Sequence, residues 1–171
     1  RQVLSAYLHS AVLRLAMGYF TVDLTAKLLL VGAKGVGKTS FVKRFTRAEF
    51  SRSHITTTNV EVSNIVFLMF AVTSSSSFRD VPCLYNDIRF LFGVDRPVVL
   101  CGNKIDSSVR SVKPGHISTF HQKRDLCYYD ISVKGNYQLQ APVCHLARKL
   151  IAGTPAGQMA VLNPVTPKVD P

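Results

Sequence analysis

"AKLLLVGAKGVGKTSFVKRF", residues 26–45, sets a short apolar run, a glycine-rich segment and the start of a helical pattern in immediate succession. The apolar run is of strand type, and "FVKRF" spaces its apolar residues as an amphipathic helix does. Between them, Gly32, Gly37, Lys38 and Thr39 satisfy G-x-x-x-x-G-K-[ST] in the strand, loop, helix setting that gives this motif its meaning. Gly32, Gly35 and Gly37 let the backbone turn tightly, so that successive N–H groups face an anion at a helix N-terminus. Ala33, Lys34, Gly35, Val36, Gly37, Lys38, Thr39 and Ser40 are therefore expected to wrap phosphate groups. Lys38 adds a point charge for β- and γ-phosphates, and Thr39 offers its hydroxyl to Mg²⁺.

A phosphate loop does not name the base. Downstream, "RPVVLCGNKID", residues 96–106, is a buried-type strand running into Asn103, Lys104 and Asp106. A carboxylate at Asp106 can accept two hydrogen bonds from the N1–H and 2-amino group of guanine, a pattern adenine does not offer. Leaving it unpaired makes the wrong base expensive, on the order of 10⁴-fold. The Lys104 stem can lie along the base. A third piece, "LCYYDISVKGN", residues 126–136, is another strand followed by Ser132, Val133 and Lys134. Backbone N–H groups there can hold the guanine carbonyl, with Lys134 over the base.

Phosphate loop, Asn-Lys-x-Asp and Ser-x-Lys, in that order and each after a strand, resemble a small GTPase of the Ras superfamily. "GKTSFVKRF", "VPCLYNDI", "VVLCGNK", "LCYYDIS" and "LARKLI" are similar to its Ran branch, the nuclear-transport GTPases, over most of residues 26–151. The resemblance implies an α/β fold, a P-loop NTPase sheet flanked by helices. It also implies binding of GTP and GDP with Mg²⁺ and a role in nucleocytoplasmic transport, the import of protein and the export of RNA and protein. Its implied partners are importin- and exportin-type receptors, a nucleotide exchange factor and Ran-binding proteins, met in nucleus and cytoplasm. Anchored on Phe50 and "VEV", the switch I threonine that closes over Mg²⁺ falls on Thr57, so that Thr39 and Thr57 are the implied metal ligands; Thr56 and Thr58 stand one position to either side. The basic "HQKRDL", residues 121–126, is similar to the branch's patch for acidic partner segments and reads equally as a solvated helix end.

Departures from the family pattern cluster in "NVEVSNIVFLMFAVTSSSS", residues 59–77. From Val60 to Val72 its only polar residues are Glu61, Ser63 and Asn64, although strands usually run about 5 or 6 residues. The family places Asp-x-x-Gly followed by Gln on a strand and helix between switch I and the base loop: Asp supports the metal, Gly meets the γ-phosphate and Gln orients water. No such stretch occurs here, and the chain between Lys38 and Asn103 is roughly 35 residues shorter than the span holding those parts. The run reads as the front of one strand, "VEVSNIVF", joined directly to another, "LMFAVTS". Ala71 replaces an acid, and Val133 the alanine of Ser-Ala-Lys.

No residue is therefore assigned a catalytic role, and the expectation is a GTP-binding protein with impaired hydrolysis. The alternative is a non-catalytic module that binds Ran partners through its basic patch. The fold is expected to lack its hairpin-partner strand and switch II helix. Its parallel strands should start near Ala26, Phe67, Pro97 and Leu126, with helices after Lys38, Asp80, Ser118 and Ala141. Residues 59–67 would lose their partner, and the phosphate-loop edge of the sheet would stand exposed.

Bulk properties set the frame. With 171 residues and 47% apolar content, the chain suits one globular domain, placed at residues 26–151 between an N-terminal extension, 1–25, and a Pro/Gly-rich tail, 152–171. The extension reads as a presequence, an added helix or translated non-coding sequence. A net charge of +11 invites an acidic or phosphate-bearing partner, while no stacking or groove-reading motif supports nucleic acid. Cys83, Cys101, Cys127 and Cys144 form no CxxC pair and read as buried free thiols in a reducing compartment. The closing "KVDP" carries no cysteine box for a prenyl anchor.

Overall fold

The computed structural model describes residues 7–17, 20–49 and 58–152, with side-chain surroundings for residues 28–45 and 65–150. Strands β1 (Tyr7–Met17) and β2 (Phe20–Gly32) lead into α1 (Lys38–Glu49), then β3 (Thr58–Ala71), α2 (Ser75–Arg79) and α3 (Val81–Phe92). Next come β4 (Val98–Asn103), α4 (Pro114–Gln122), β5 (Cys127–Asp130) and α5 (Gln140–Ala152). The sheet order is β1-β2-β3-β4-β5; β2 to β5 are parallel, and β1 is antiparallel to β2. This is the expected helix-flanked parallel sheet.

Parallel strands are covered on both faces and therefore read as continuous apolar runs. Along residues 65–72 and throughout β4 every residue is buried. Alternation then divides the side chains between two cores. Leu28, Leu30, Ile65, Phe67 and Met69 pack with Phe41 and Phe45 of α1 and Val143 and Leu146 of α5. Leu29, Val31, Val66, Leu68 and Phe70 pack with Val81 and Ile88 of α3 and Ile117 and Phe120 of α4. Phe67 meets Phe41 at 5.5 Å between ring centroids, fixing α1, and with it the phosphate loop, against the sheet.

The structure corrects the expectation of an orphaned half-strand. β3 is one strand of 14 residues, and its front half has a partner because β2, at 13 residues, starts six positions before Ala26. Val22↔Thr58 opens the parallel register and Gly32↔Met69 closes it. Register slips once, between the pairs Ala26↔Val62 and Leu28↔Ile65, where Ser63 and Asn64 stand. At the supposed seam the pairing is unbroken, with Leu30↔Phe67 followed by Val31↔Leu68.

Nor is the phosphate-loop edge open. β1 pairs with β2 from Tyr7↔Leu30 to Met17↔Phe20, so residues expected as a separate extension, with a helix as one reading, form a strand. The outer backbone groups of β2 need partners, and that demand outweighs weak local propensity. Smaller corrections concern α4, which starts at Pro114, and the unforeseen α2, capped where the Ser77 N–H donates to Ser74 Oγ at 3.3 Å. Of the four thiols only Cys101 is buried; Cys144 is half-buried, and Cys83 and Cys127 are exposed.

Deleting residues 1–17 should uncover the outer edge of β2 and drive edge-to-edge association. Size-exclusion chromatography should then show species larger than the monomer where the full chain elutes as one; an unchanged monomer would contradict the role given to β1.

Candidate functional site

β2 ends at Gly32, which lies so close to β3 that a Cβ there would collide with the Met69 carbonyl oxygen and approach Val36 Cγ2 to 3.1 Å. Gly35 and Gly37 have φ of +80° and +106°, backbone open to glycine and strained for other residues. A Cβ on Gly37 would also run into the Asn103 side-chain amide. The Phe41 N–H donates to Gly37 O at 2.8 Å as α1 begins. Lys38, the first residue of α1, is buried, and its Nζ donates to Gly32 O at 2.7 Å and Ala33 O at 2.8 Å. Burial lowers its pKa from the ordinary lysine value. The ammonium thus lies under the loop, with two of its three donors holding the loop's shape.

Asn103 joins this loop to the other two. It is buried at the end of β4, and its Nδ2 donates to Val36 O at 2.8 Å. Its Oδ1 accepts from the Lys104 N–H at 2.8 Å and the Val133 N–H at 3.1 Å. One side chain therefore fixes the phosphate loop, the Asp106 loop and the Ser132 loop together. In the Ser132 loop, Ser132 and Tyr137 exchange backbone hydrogen bonds of 3.1 and 2.9 Å. Ser132 Oγ donates to Asp106 Oδ1 at 2.6 Å and accepts from the Gly135 N–H at 2.8 Å. The Ser132 hydroxyl, aided by the Lys134 and Lys104 ammonium groups, holds the Asp106 carboxyl below the usual carboxylate range. Lys104 sits in left-handed backbone, φ 70°, as the chain leaves β4.

A cleft of about 990 Å³ opens between these loops and α1, and Gly37, Ser40, Asn103, Lys104, Asp106, Val133 and Lys134 line it. Ser132 is buried beside it. Ala33, Lys34, Gly35 and Val36 form the loop between β2 and α1, and Thr39 is exposed in the first turn of α1. Thr57 lies outside the described residues. Sequence reasoning missed Lys43, Arg44, Thr73, Ser107 and Asn136, which also line the cleft. Lys43 and Arg44 follow Thr39 and Ser40 by four residues, so helical spacing could have found them. Arg44 Nη2 donates to Lys134 O at 3.3 Å, tying α1 to the Ser132 loop. Thr73 is reached only through the pairing of β3 with β2, which no local motif announces.

The residues fit a nucleotide. Gly37 and Ser40 bring the glycine-rich loop and the start of α1 to the cleft wall, and the Asp106 carboxylate, of a kind suited to a base, shares that wall with the cations of Lys43, Arg44, Lys104 and Lys134, while Lys38 is held by the loop carbonyls and is not part of the lining. For Mg²⁺ the fit is partial. Thr39 supplies a hydroxyl, and no group of three His, Cys, Asp or Glu side chains gathers among the described residues. Beyond β3, Val72 is tied off: its N–H donates to Asn103 O, and its carbonyl accepts from the Ser111 and Val112 N–H groups at 2.9 and 3.1 Å.

The sequence model of the Ras family matches residues 54–152, more than half of the chain. The model of Ras of Complex, Roc, domain of DAPkinase, matches residues 27–70, from the phosphate-loop strand through most of β3.

Because its folded-state pKa is lowered, the Asp106 carboxylate persists at neutral pH and is lost only as pH falls through that lowered value. Ser132→Ala removes the first cause of the shift. The carboxyl titration of Asp106, followed by NMR, should move upward toward the ordinary range; an unmoved titration would contradict the pairing.

Proposed function

The chain belongs to the Ras family, whose members bind GTP and GDP, typically with Mg²⁺, and on that premise we propose that it binds these nucleotides in the cleft between α1 and the Asp106 and Ser132 loops. The observation that carries the proposal is the Asn103 side chain, whose bonds to Val36 O and to the Lys104 and Val133 N–H groups join the phosphate and base loops into one receptor. When bound, the nucleotide contributes the phosphates for the glycine cradle and the guanine edge for Asp106. Ala33 to Ser40 surround the phosphates, Lys38 neutralises them from below, and Lys104 and Lys134 cover the base. Thr39 would offer its hydroxyl to Mg²⁺, with Thr57 as the second ligand that the family resemblance implies.

At the finer level the role is Ran-like, a GTP-binding protein of nucleocytoplasmic transport shared between nucleus and cytoplasm. "VPCLYNDI", "VVLCGNK", "LCYYDIS" and "LARKLI" support it, with importin- and exportin-type receptors, an exchange factor and Ran-binding proteins as the partners. Hydrolysis is impaired, since no Asp-x-x-Gly followed by Gln stands between α1 and β4 to support the metal and orient water. A second reading, partner binding without nucleotide, draws on the basic patch. Arg124 is fixed 4.1 Å over Phe120 and 5.6 Å over Tyr85, giving acidic segments a rigid edge beside exposed Lys123.

Asp106→Ala should weaken GDP binding by at least about 100-fold in a fluorescent-nucleotide titration, because the base edge loses both hydrogen bonds. Single-turnover GTP hydrolysis by the unaltered chain should be slower than about 10⁻⁴ s⁻¹. If Lys38→Ala and Asp106→Ala change nothing while Lys123→Glu with Arg124→Glu abolishes receptor capture, the second reading replaces the first.

A further inference from the structure

A second cleft, of about 720 Å³, lies between β5 and α5. Its strand wall carries Cys127 and Tyr129, two positions apart and so on one face of β5; its helix wall carries Cys144, His145, Arg148 and Lys149. The Tyr129 and His145 rings stand 6.0 Å apart. Burial, then the Cys127 and Cys101 thiols, raise the pKa of the Tyr129 hydroxyl, with Arg148 opposing and Cys144 adding to the effect. Asp125 is the single carboxylate among the lining residues, against the cations of Arg148 and Lys149.

This cleft has no part in the nucleotide reading, since it adjoins the first residue of β5 and the Ser132 loop follows the last. It joins an exposed thiol, Cys127, to a concave wall bearing an imidazole, a guanidinium and an ammonium, groups that bind small carboxylates. The other exposed thiol, Cys83 of α3, lines neither cleft. Cys101 is sealed in the sheet, and burial pushes its thiol far above the ordinary range.

We infer that the β5–α5 cleft is a reversible thiol-modification site, in which Cys127 exchanges with a small anionic disulfide of the glutathione class whose carboxylates are held by Arg148 and Lys149. The Cys127 proton leaves to solvent and its sulfur attacks one sulfur of the reagent. The reagent S–S bond breaks as a new S–S bond to Cys127 forms. The departing sulfur leaves with the electron pair as a thiolate, so Cys127 is oxidised by the half of the reagent that is reduced. Tyr129 and His145 provide the wall against which the adduct's peptide part lies, and a reducing thiol reverses the exchange.

The full chain is incubated with oxidised glutathione and, separately, with hydroxyethyl disulfide, which is neutral. The four cysteines fall on four different tryptic peptides, so mass spectrometry gives a rate for each. Expected is preferential adduct formation on Cys127 with oxidised glutathione. At low salt, Arg148→Glu with Lys149→Glu should slow that rate by roughly five- to tenfold and leave hydroxyethyl disulfide unaffected. Arg148→Gln with Lys149→Gln, a milder change at the C-terminal end of α5, should give a smaller loss in the same direction. Modification of Cys83 as fast as Cys127, no adduct on Cys127, or equal slowing of both reagents by the charge reversal would each overturn the proposal.

Discussion

The ladder between β2 and β3 is the interaction on which the rest of the structure depends. Strand backbone buried on both faces must pair along its whole length, because an unpaired N–H or carbonyl away from water costs about 1–3 kcal/mol. The strand from Thr58 to Ala71 runs without a turn and is met by a partner of nearly its own length, β2. Residues 20–26 provide it by extending the phosphate-loop strand toward the N-terminus, and β1 covers the edge that remains. The phosphate loop is suspended from the far end of this ladder, where Gly32 meets Met69.

From this arrangement the binding and hydrolytic parts of a small GTPase separate. The proposed contacts to phosphate and base come from loops at the carboxyl ends of β2, β4 and β5, where parallel sheets place their ligands, and Asn103 locks those loops together. Groups for metal support and water orientation belong to a strand and helix for which the chain between α1 and β4 has no room. The turn after β3 is instead closed onto Asn103, Ser111 and Val112. The β5–α5 cleft adjoins the opposite, amino end of β5, so one strand connects the base loop to the thiol.

Much of this was legible in the sequence, for physical reasons that can be named. The glycine-rich loop is local: glycine at Gly35 and Gly37 is required by positive φ, and Lys38 holds the loop carbonyls of Gly32 and Ala33. Three of the parallel strands, β2, β4 and β5, run straight into the motifs and the fourth, β3, carries a long apolar run, which is why the parallel sheet could be foreseen. The hairpin could not. "YLHSAVLRLAM" is rich in good helix formers, and only the unpaired edge of β2, a tertiary fact, makes it a strand. Continuity of β3 was hidden likewise, because comparison with the family pattern drew attention to residues 67 and 68, whereas the register slips at Ser63 and Asn64. At the site, Thr73 and the bond from Asn103 to Val36, 67 positions away in the chain, follow from topology that no motif encodes.

Amide hydrogen exchange along β3, read at single-residue resolution, tests the continuous strand most directly. The paired structure predicts slow exchange on both sides of residues 67 and 68 and through the front half of β3, with any faster exchange confined to Ser63 and Asn64. Exchange in residues 58–62 at the rate of unstructured chain, beside protection in residues 65–71, would mean that the front half has no partner and would contradict the account.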